Sequence, residues 1–487
     1  MTHASNPCSG DMAREAVLFL EGIKSDLEKI ERNVRVSFIM IQDTNMSLHQ
    51  RLFGFQLLEH TIKMFWYKLS EATQTSIKCH LETLVIQDNL SETFFKDALR
   101  RCVVETMMRE WPQKWPNLLH NVLLSSPCNS SVLLVLLRLG EDVGIHLKPL
   151  NSSLRRREIL NMITSSTGSI LSYISSCLQS NDRRINLLAL NTLSSYLEWI
   201  SVESSLLQFL CSILTVDPSN SDSFLLQSKQ MSCECMTTIM SRKKLKDEEV
   251  TALFTILSDT NLSSIILLSR ICQDKIKVKG SFEFLDVGKR VARLLTCVAK
   301  FALQHQDSIN DSNILPSLTK ELFALLSHPN QSLSFSTIEF WKAFLKAPDI
   351  PSVAAEDFSR QYFSLLPSLL TKLPQDHDFV LHEFDSFEEY ESFFHKEKVE
   401  LVNILRLMTE IKDELTFDCS LQLLHHLLST RNLSSSRLEK STKDWDIMVF
   451  ILDAVCSRLP NPKKVCIHSY FILYRFYTFF RFCLFLP

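Results

Sequence analysis

The stretch Phe94–Leu119, FFKDALRRCVVETMMREWPQKWPNLL, predicts the architecture of the whole chain. Small and apolar side chains recur in it at steps of three and four residues, the spacing of one helix face. They are Phe95, Leu99, Cys102, Val103, Thr106 and Met107. This helix is expected to stop at Trp111, because Pro112 lacks a backbone donor and disfavours helical geometry in the residue before it. Pro116 suits the first position of a second helix. The stretch therefore predicts a helix, a tight corner and another helix.

Similar units follow one another along the chain at roughly forty to fifty residues each, the period of HEAT-type helical hairpins. One helix pair cannot bury its apolar face alone, so neighbouring pairs are expected to stack into a curved solenoid. Glycine occurs only 8 times in 487 residues. That scarcity disfavours hairpin-rich sheets and glycine-rich phosphate loops, since both need glycine for their turns. We therefore predict an all-α fold, a HEAT-repeat superhelical solenoid of the armadillo-like class.

Changes in composition divide the chain into five parts. We expect a disordered lead at residues 1–10, helical repeats over 11–373, an acidic and aromatic loop over 374–398, further helical repeats over 399–460, and an atypical aromatic tail over 461–487, interpreted as an alternative or incomplete terminus. In the loop, aromatic side chains are expected to hold the segment against the repeats while acidic ones face water. The tail is long enough for a membrane helix. Arg475 and Arg481 would each cost about 2.5–3.5 kcal/mol near the bilayer centre, so no stable membrane insertion is expected.

Composition and motif content argue against several classes of protein. The net charge is -3 at pH 7, so any nucleic-acid binding must use a local basic patch. The 14 cysteines lack the paired spacing of a zinc site and indicate free thiols in a reducing compartment. Neither a phosphate-binding glycine loop, nor an HExxH motif, nor a nucleophile elbow occurs. We predict no catalytic, cofactor-binding or metal-binding residues and no enzyme activity.

The motif REWPQKWPNLL (Arg109–Leu119) belongs to an ordered set along the chain. Other members are RLFGFQLLEH (Arg51–His60), FKDALRRCVVE (Phe95–Glu105), ALNTLSSYLEWIS (Ala189–Ser201) and FDSFEEYESFF (Phe384–Phe394). Together they resemble the importin-beta superfamily, and within it the receptors that carry hairpin microRNA precursors out of the nucleus. The resemblance implies a karyopherin-beta type of solenoid. Receptors of this kind are more than twice as long, so the chain resembles their N-terminal portion.

The resemblance also implies partners and a location. Ran in its GTP form, double-stranded or hairpin RNA, and nucleoporins are the expected partners, and the expected location is the nucleus and cytoplasm, by shuttling. RNA would be recognised through phosphates and shape rather than sequence. A helical scaffold that binds proteins without any dependence on Ran or RNA remains the alternative. The two differ in salt dependence, because binding through phosphates weakens steeply as salt rises.

Charged residues supply the candidate contacts. Acidic side chains expected to meet basic surface on Ran are Glu141, Asp142, Asp385, Glu388 and Glu389. Arginines expected to bind RNA phosphates, by bidentate hydrogen bonding, are Arg155, Arg156, Arg157, Arg183 and Arg184. A solvated surface charge is the alternative for each of them. Trp111 and Trp115 could anchor a partner, but packing beside the corner is the interpretation we favour.

Overall fold

All regular structure in the described part of the protein is helical. The computed structural model describes residues 26–125, 127–142, 153–198, 200–216, 222–242, 244–277, 282–309, 313–348, 352–371, 383–429, 447, 449–451 and 453–455, and no strand occurs within them. These residues belong to two compact units, divided between Ser201 and Val202. The predicted lead and aromatic tail lie outside the described residues.

Helices of the first unit alternate between two layers. In chain order they are α1 (26–42), α2 (Leu48–Phe65), α3 (Glu71–Gln87), α4 (Thr93–Glu110), α5 (Leu118–Ser125), α6 (Ser130–Glu141), α7 (Ser153–Leu178) and α8 (Arg183–Tyr196). Helices α2, α4, α6 and α8 pack on one another in succession, and α3, α5 and α7 do the same in the second layer. Each helix pair thus stacks on the preceding pair, which is the arrangement of a helical-repeat solenoid.

The second unit continues the same plan. Its helices are α9 (Ser204–Thr215), α10 (Ser223–Met240), α11 (Asp247–Leu253), α12 (Asp259–Ile276), α13 (Phe282–Gln304), α14 (Ile314–Leu326), α15 (Gln331–Phe335), α16 (Ile338–Lys346), α17 (Ser352–Thr371), α18 (Phe387–Ile411) and α19 (Asp413–Ser429). One layer runs through α10, α13, α16 and α18, while α9 packs on α12 and α17 packs on α19 in the other. The predicted all-α HEAT-type repeat fold is confirmed.

The stretch around α4 folds as its pattern predicts, with one shift. The predicted face of α4 is buried, and the helix ends at Glu110, followed by a cis peptide bond between Trp111 and Pro112. Both Trp111 and Trp115 are buried, which confirms their packing role. Pro116 is not the first residue of α5, because the first helical hydrogen bond there runs from the Asn121 N–H to the Asn117 carbonyl. Helix α5 consequently begins at Leu118.

The acidic and aromatic segment is partly helical, which corrects the prediction of a loop over 374–398. Residues 387–398 form the first turns of α18, and the Ser386 hydroxyl caps this helix by accepting from the Glu389 N–H at 3.2 Å. A serine followed three residues later by glutamate is a helix-start signal, and the aromatic residues after it recur at helical spacing. Local capping therefore outweighs the acidic composition. Residues 374–382 lie outside the described part of the chain.

We also compared the described helices with the requirements for a membrane span. None of them alone is both long and apolar enough to cross a bilayer. The pair Asp247–Leu257 and Asp259–Ile276, bent by 62°, meets the requirements of length and composition only when its two members are taken together.

Candidate functional site

The corner after α4 is a buried joint between successive repeats. The Glu110 side chain is only 3% exposed and lies 3.4 Å from the Lys78 ammonium group. Its carboxylate also accepts the Trp66 indole N–H at 2.9 Å, and Lys78 donates to the Lys114 carbonyl at 3.0 Å. A carboxylate with these partners ties the end of α2, helix α3 and the corner together. The glutamate of the REWPQKWP motif therefore has a structural role.

The second tryptophan of the motif is held in the same way. The Trp115 indole N–H donates to Glu82 Oε2 at 3.3 Å, and the Asn121 amide donates to Glu82 Oε1 at 2.7 Å. Glu82 lies on α3, so this carboxylate joins α3 to the corner and to α5. Because both indoles are buried, the corner does not offer an exposed tryptophan to a partner.

Arg155 is bonded to the end of α4. Its Nε donates to the Met108 carbonyl at 3.2 Å, and one Nη donates to the Trp111 carbonyl. The other Nη donates to Gln113 Oε1 at 2.6 Å. The last carbonyls of a helix lack partners within it, and the guanidinium supplies donors to them. This geometry argues against Arg155 as a phosphate contact, because its donors are already used inside the protein.

The remaining arginine candidates occupy two separate places. Arg157 is exposed near the start of α7, and the Arg156 side chain lies outside what the structure describes. Arg183 and Arg184 are exposed at the start of α8, after Asp182, whose side chain accepts from the Arg184 N–H at 2.8 Å. Helix α7 has 26 residues. At about 1.5 Å per residue it separates the two places by roughly 30 Å, so the arginines do not form one cluster.

The acidic candidates of the first unit end α6. Asp142 Oδ2 lies 3.0 Å from the Arg138 Nε, one helical turn earlier, and forms an ion pair with it. Glu141 is half-buried beside it. Pairs of this type within one helix contribute a few tenths of a kcal/mol, about 0.3–0.5, and satisfy the charges locally. Asp142 is therefore a weaker candidate for an external partner than its sequence position suggests.

Three acidic residues of the second unit, Asp385, Glu388 and Glu389, form an exposed cluster that we call the acidic turn. Glu389 Oε2 accepts from the Asp385 N–H at 2.9 Å, which closes the cap of α18. A hydrogen bond from its own backbone N–H, and then one from Ser386, hold the pKa of Glu388 below its usual value. A helix N-terminus favours negative charge. Glu388 is therefore ionised at neutral pH and faces water.

Aromatic and ionic contacts hold the acidic turn in place. The Tyr390 hydroxyl donates to Gln331 Oε1 at 2.6 Å, and the Phe393 ring lies 6.0 Å from the Phe335 ring. Glu383, just before the turn, lies 2.8 Å from the Lys289 ammonium group on α13. The expectation that aromatic residues pin this segment is confirmed, and so is the exposure of Asp385, Glu388, Glu389 and Glu391, whereas Asp376 and Asp378, also expected to face water, lie outside the described residues. Sequence reasoning missed the contact between Lys289 and Glu383, because nothing local distinguishes Glu383 from its acidic neighbours.

A polar network also joins the repeats at the loop before α6. Asp88 lies 2.7 Å from the Lys96 ammonium group and accepts the Ser131 and Ser130 hydroxyls at 2.6 and 2.9 Å. Burial alone would raise the pKa of Asp88, but the hydrogen bonds from Lys96, Ser131 and Ser130 outweigh it. The pKa is therefore held below its ordinary value of 3.8.

This depressed pKa makes stability depend on pH. Since the folded protein favours the ionised form of Asp88, the stabilisation is fully present above about pH 4 and is lost as pH falls through the folded pKa. We expect the variant Asp88→Asn to be less stable than the wild type at neutral pH and to lose less stability on acidification, measured by urea unfolding at a series of pH values. Asp26→Asn, whose side chain is 73% exposed, is the control and should keep the wild-type pH dependence. Parallel curves for wild type and Asp88→Asn would contradict the assignment.

Within the residues that the structure describes, no group of three or more His, Cys, Asp or Glu side chains is arranged to hold a metal ion. The charged residues described above serve as hydrogen-bond partners and as exposed charges.

The family Exportin 1-like protein matches residues 92–236, and the Exportin-5 family matches residues 283–469. The first match covers the corner after α4, and the second covers the acidic turn. Both matched families are exportins.

Curated relatives point to one branch of that class. Human exportin-5 is 27% identical over 464 residues, covering 85% of this chain and 37% of its own length. Exportin-5 of Dictyostelium discoideum is 23% identical over 85% of this chain and 38% of its own, and Protein HASTY 1 of Arabidopsis thaliana is 23% identical over 69% and 29%. The chain is therefore similar to exportin-5 proteins over most of its own length. It spans less than half of the length of these relatives.

A solved structure was matched as well. A crystal structure of importin beta, obtained in an ammonium sulfate condition, aligns with 92% of this chain and 72% of its own, with a TM-score of 0.28 and 12% identity.

Proposed function

We propose that this chain is a nuclear export receptor that binds Ran in its GTP form and carries double-stranded or hairpin RNA, such as microRNA precursors, through the nuclear pore. The observation that carries the proposal is the Exportin-5 family match over residues 283–469, which includes the anchored acidic turn. Contacts with nucleoporins, shuttling between nucleus and cytoplasm, and a role without catalysis belong to the same proposal. Ran and cargo would each raise the affinity for the other by the same factor.

The acidic turn is the proposed contact for Ran. Its three carboxylates are exposed, and the surrounding contacts hold them in a defined position. A small GTPase would meet them with basic side chains, and opposite charges raise association rates more than they raise affinity. Glu141 and Asp142 remain a second candidate for the same partner, weakened by the ion pair between Asp142 and Arg138.

The exposed arginines are the proposed contacts for RNA. Arg157, together with Arg156, would bind phosphates at one end of α7, and Arg183 with Arg184 would do so at the other. Guanidinium groups bind phosphate oxygens bidentately, and contact through the backbone alone carries no sequence preference. Two contacts roughly 30 Å apart along a 26-residue helix would favour an extended, structured RNA over a short single strand.

Neutralising the acidic turn is expected to weaken binding to Ran. The double variant Asp385→Asn with Glu388→Gln should bind Ran loaded with GTP about tenfold more weakly, mainly through slower association, because two exposed charges that attract a basic partner are removed. Biolayer interferometry with Ran loaded with GTP or GDP measures the effect. The matched control is Asp247→Asn with Glu248→Gln, which removes two exposed acids from the first turn of α11.

Two outcomes of this experiment would contradict different parts of the proposal. Equal binding of the GTP and GDP forms by the wild type would contradict the export proposal and favour the helical scaffold. Equal weakening by both double variants would remove the acidic turn from the interface while leaving the proposal for Ran in place.

A further inference from the structure

Two cysteine thiols meet where the loop before α6 touches the end of α7. Cys128 lies in that loop, and its Sγ donates to the Ser176 carbonyl at 3.7 Å. Cys177 is the next residue on α7, and its thiol lies close enough to Cys128 to interact with it electrostatically. Both cysteines are reduced in the structure. The chain thus brings together two thiols that are distant in sequence.

Neighbouring groups hold the two segments together independently of the sulfur atoms. The Tyr173 hydroxyl, one turn before Cys177, accepts the Asn129 N–H at 2.9 Å. The Asn129 side chain donates to the Val85 carbonyl at 2.9 Å and accepts from the Ser131 N–H at 2.7 Å. A buried polar network therefore holds Cys128 beside the end of α7, where Cys177 lies.

The two thiols differ in exposure. Cys128 is half-buried, so an oxidant in water can reach it, whereas Cys177 is fully buried. Burial, followed by the neighbouring Cys128, raises the pKa of Cys177 to about 11. Since the thiolate is the reactive form, the first reaction should occur at Cys128.

We propose that Cys128 and Cys177 form a reversible disulfide when the protein meets a peroxide. The Cys128 thiolate attacks one oxygen of hydrogen peroxide, the O–O bond breaks, and a sulfenic acid and water form. The Cys177 sulfur then attacks the Cys128 sulfur, the S–O bond breaks, and a second water leaves. Two thiols lose two electrons in total, and one peroxide is reduced to two waters. An external dithiol restores both thiols by exchange.

The disulfide should stabilise the protein because of where the two cysteines lie in the fold. Asn129, next to Cys128, bonds to the end of α3 and caps α6, so a bond from Cys128 to α7 would join three helices at one point. A disulfide constrains the unfolded chain, and the oxidised protein should therefore resist thermal unfolding better than the reduced protein. This property is independent of the proposed transport function.

Mass spectrometry of the whole chain tests the proposal. The protein is treated with hydrogen peroxide, quenched with an alkylating reagent, digested without reduction, and mapped. We expect a linked peptide pair containing Cys128 and Cys177, lighter by two hydrogen atoms than the two separate peptides and separated again by dithiothreitol. Cys128→Ser and Cys177→Ser should each abolish the link, while Cys79→Ser, which removes an exposed cysteine, should retain it.

Thermal unfolding provides the second readout. Oxidation should raise the melting temperature of the wild type and of Cys79→Ser, and leave that of Cys128→Ser unchanged. Complete alkylation of Cys128 and Cys177 after peroxide treatment would overturn the proposal. A disulfide from Cys128 to a different cysteine or to a second chain would also overturn it. Oxidation of Cys128 to sulfinic acid would do the same. If the buried Cys177→Ser variant fails to fold, the half-buried Cys128→Ser variant still decides the matter.

Discussion

Replacing Glu110 with alanine is expected to destabilise the first unit by about 3–5 kcal/mol, because it breaks a buried ion pair from one side. The Lys78 side chain, 12% exposed, would lose its carboxylate partner. The Trp66 indole N–H, also buried, would lose its acceptor at 2.9 Å. Urea unfolding followed by tryptophan fluorescence measures the effect, since Trp66, Trp111 and Trp115 all lie close to the corner.

The variant Glu105→Ala is a matched control that tests whether burial, and not the loss of a charge alone, causes the destabilisation. Glu105 lies on the same helix as Glu110 and pairs with Arg109, but its side chain is 29% exposed. Glu105→Ala should cost less than about 1 kcal/mol, as exposed pairs within a helix do. Similar losses for both alanine variants would show that burial at the corner does not set the strength of the contact.

Replacing Arg155 with glutamine is expected to reduce stability by about 2–4 kcal/mol, because hydrogen bonds from a charged donor contribute about 1.5–3 kcal/mol each. The loss arises at the end of α4, where the Met108 and Trp111 carbonyls would lose their donor. We expect the RNA affinity of the protein that remains folded to stay unchanged. Stability is measured by urea unfolding, and affinity by fluorescence anisotropy of a labelled hairpin RNA.

Replacing the exposed arginines, unlike replacing Arg155, should weaken RNA binding without lowering stability. Arg157→Gln, and the double variant of Arg183 and Arg184, should leave stability within about 0.5 kcal/mol of the wild type. Both should weaken RNA binding and lower its dependence on salt concentration by about one unit of slope for each lost phosphate contact. Arg32→Gln, an exposed arginine on α1, is the control for a general loss of positive charge.

Two results would contradict these assignments of the arginines. Loss of RNA binding with unchanged stability in Arg155→Gln would restore Arg155 as a phosphate contact. Hairpin binding by the wild type that does not weaken as salt rises would contradict the RNA proposal, because phosphate contacts release counterions.

Local patterns were sufficient to predict an all-helical fold for the described residues and the end of α4 before the corner. Apolar periodicity and proline chemistry act over one or two turns, so the buried face of α4 and its end at Glu110 could be read directly. The ordered motifs also resembled the exportins, and the family matches over residues 92–236 and 283–469 agree with that resemblance. The loop expected at residues 387–398 was wrong, because its acidic composition was weighed above the Ser386 cap.

Only the tertiary structure assigned roles to the charged residues. Glu110 and Arg155 bond to residues more than thirty positions away in sequence. Glu110 accepts a hydrogen bond from Trp66, which follows α2, and Arg155 donates one to Met108 on α4. An arginine in a run of three has the same local pattern whether it caps a buried helix end, as Arg155 does, or faces water, as Arg157 does. The proximity of Cys128 and Cys177 likewise depends on the tertiary structure and not on the local sequence. The physical reason is that periodicity specifies which face of a helix is buried, whereas the partner of a polar group depends on which distant segment packs against that face.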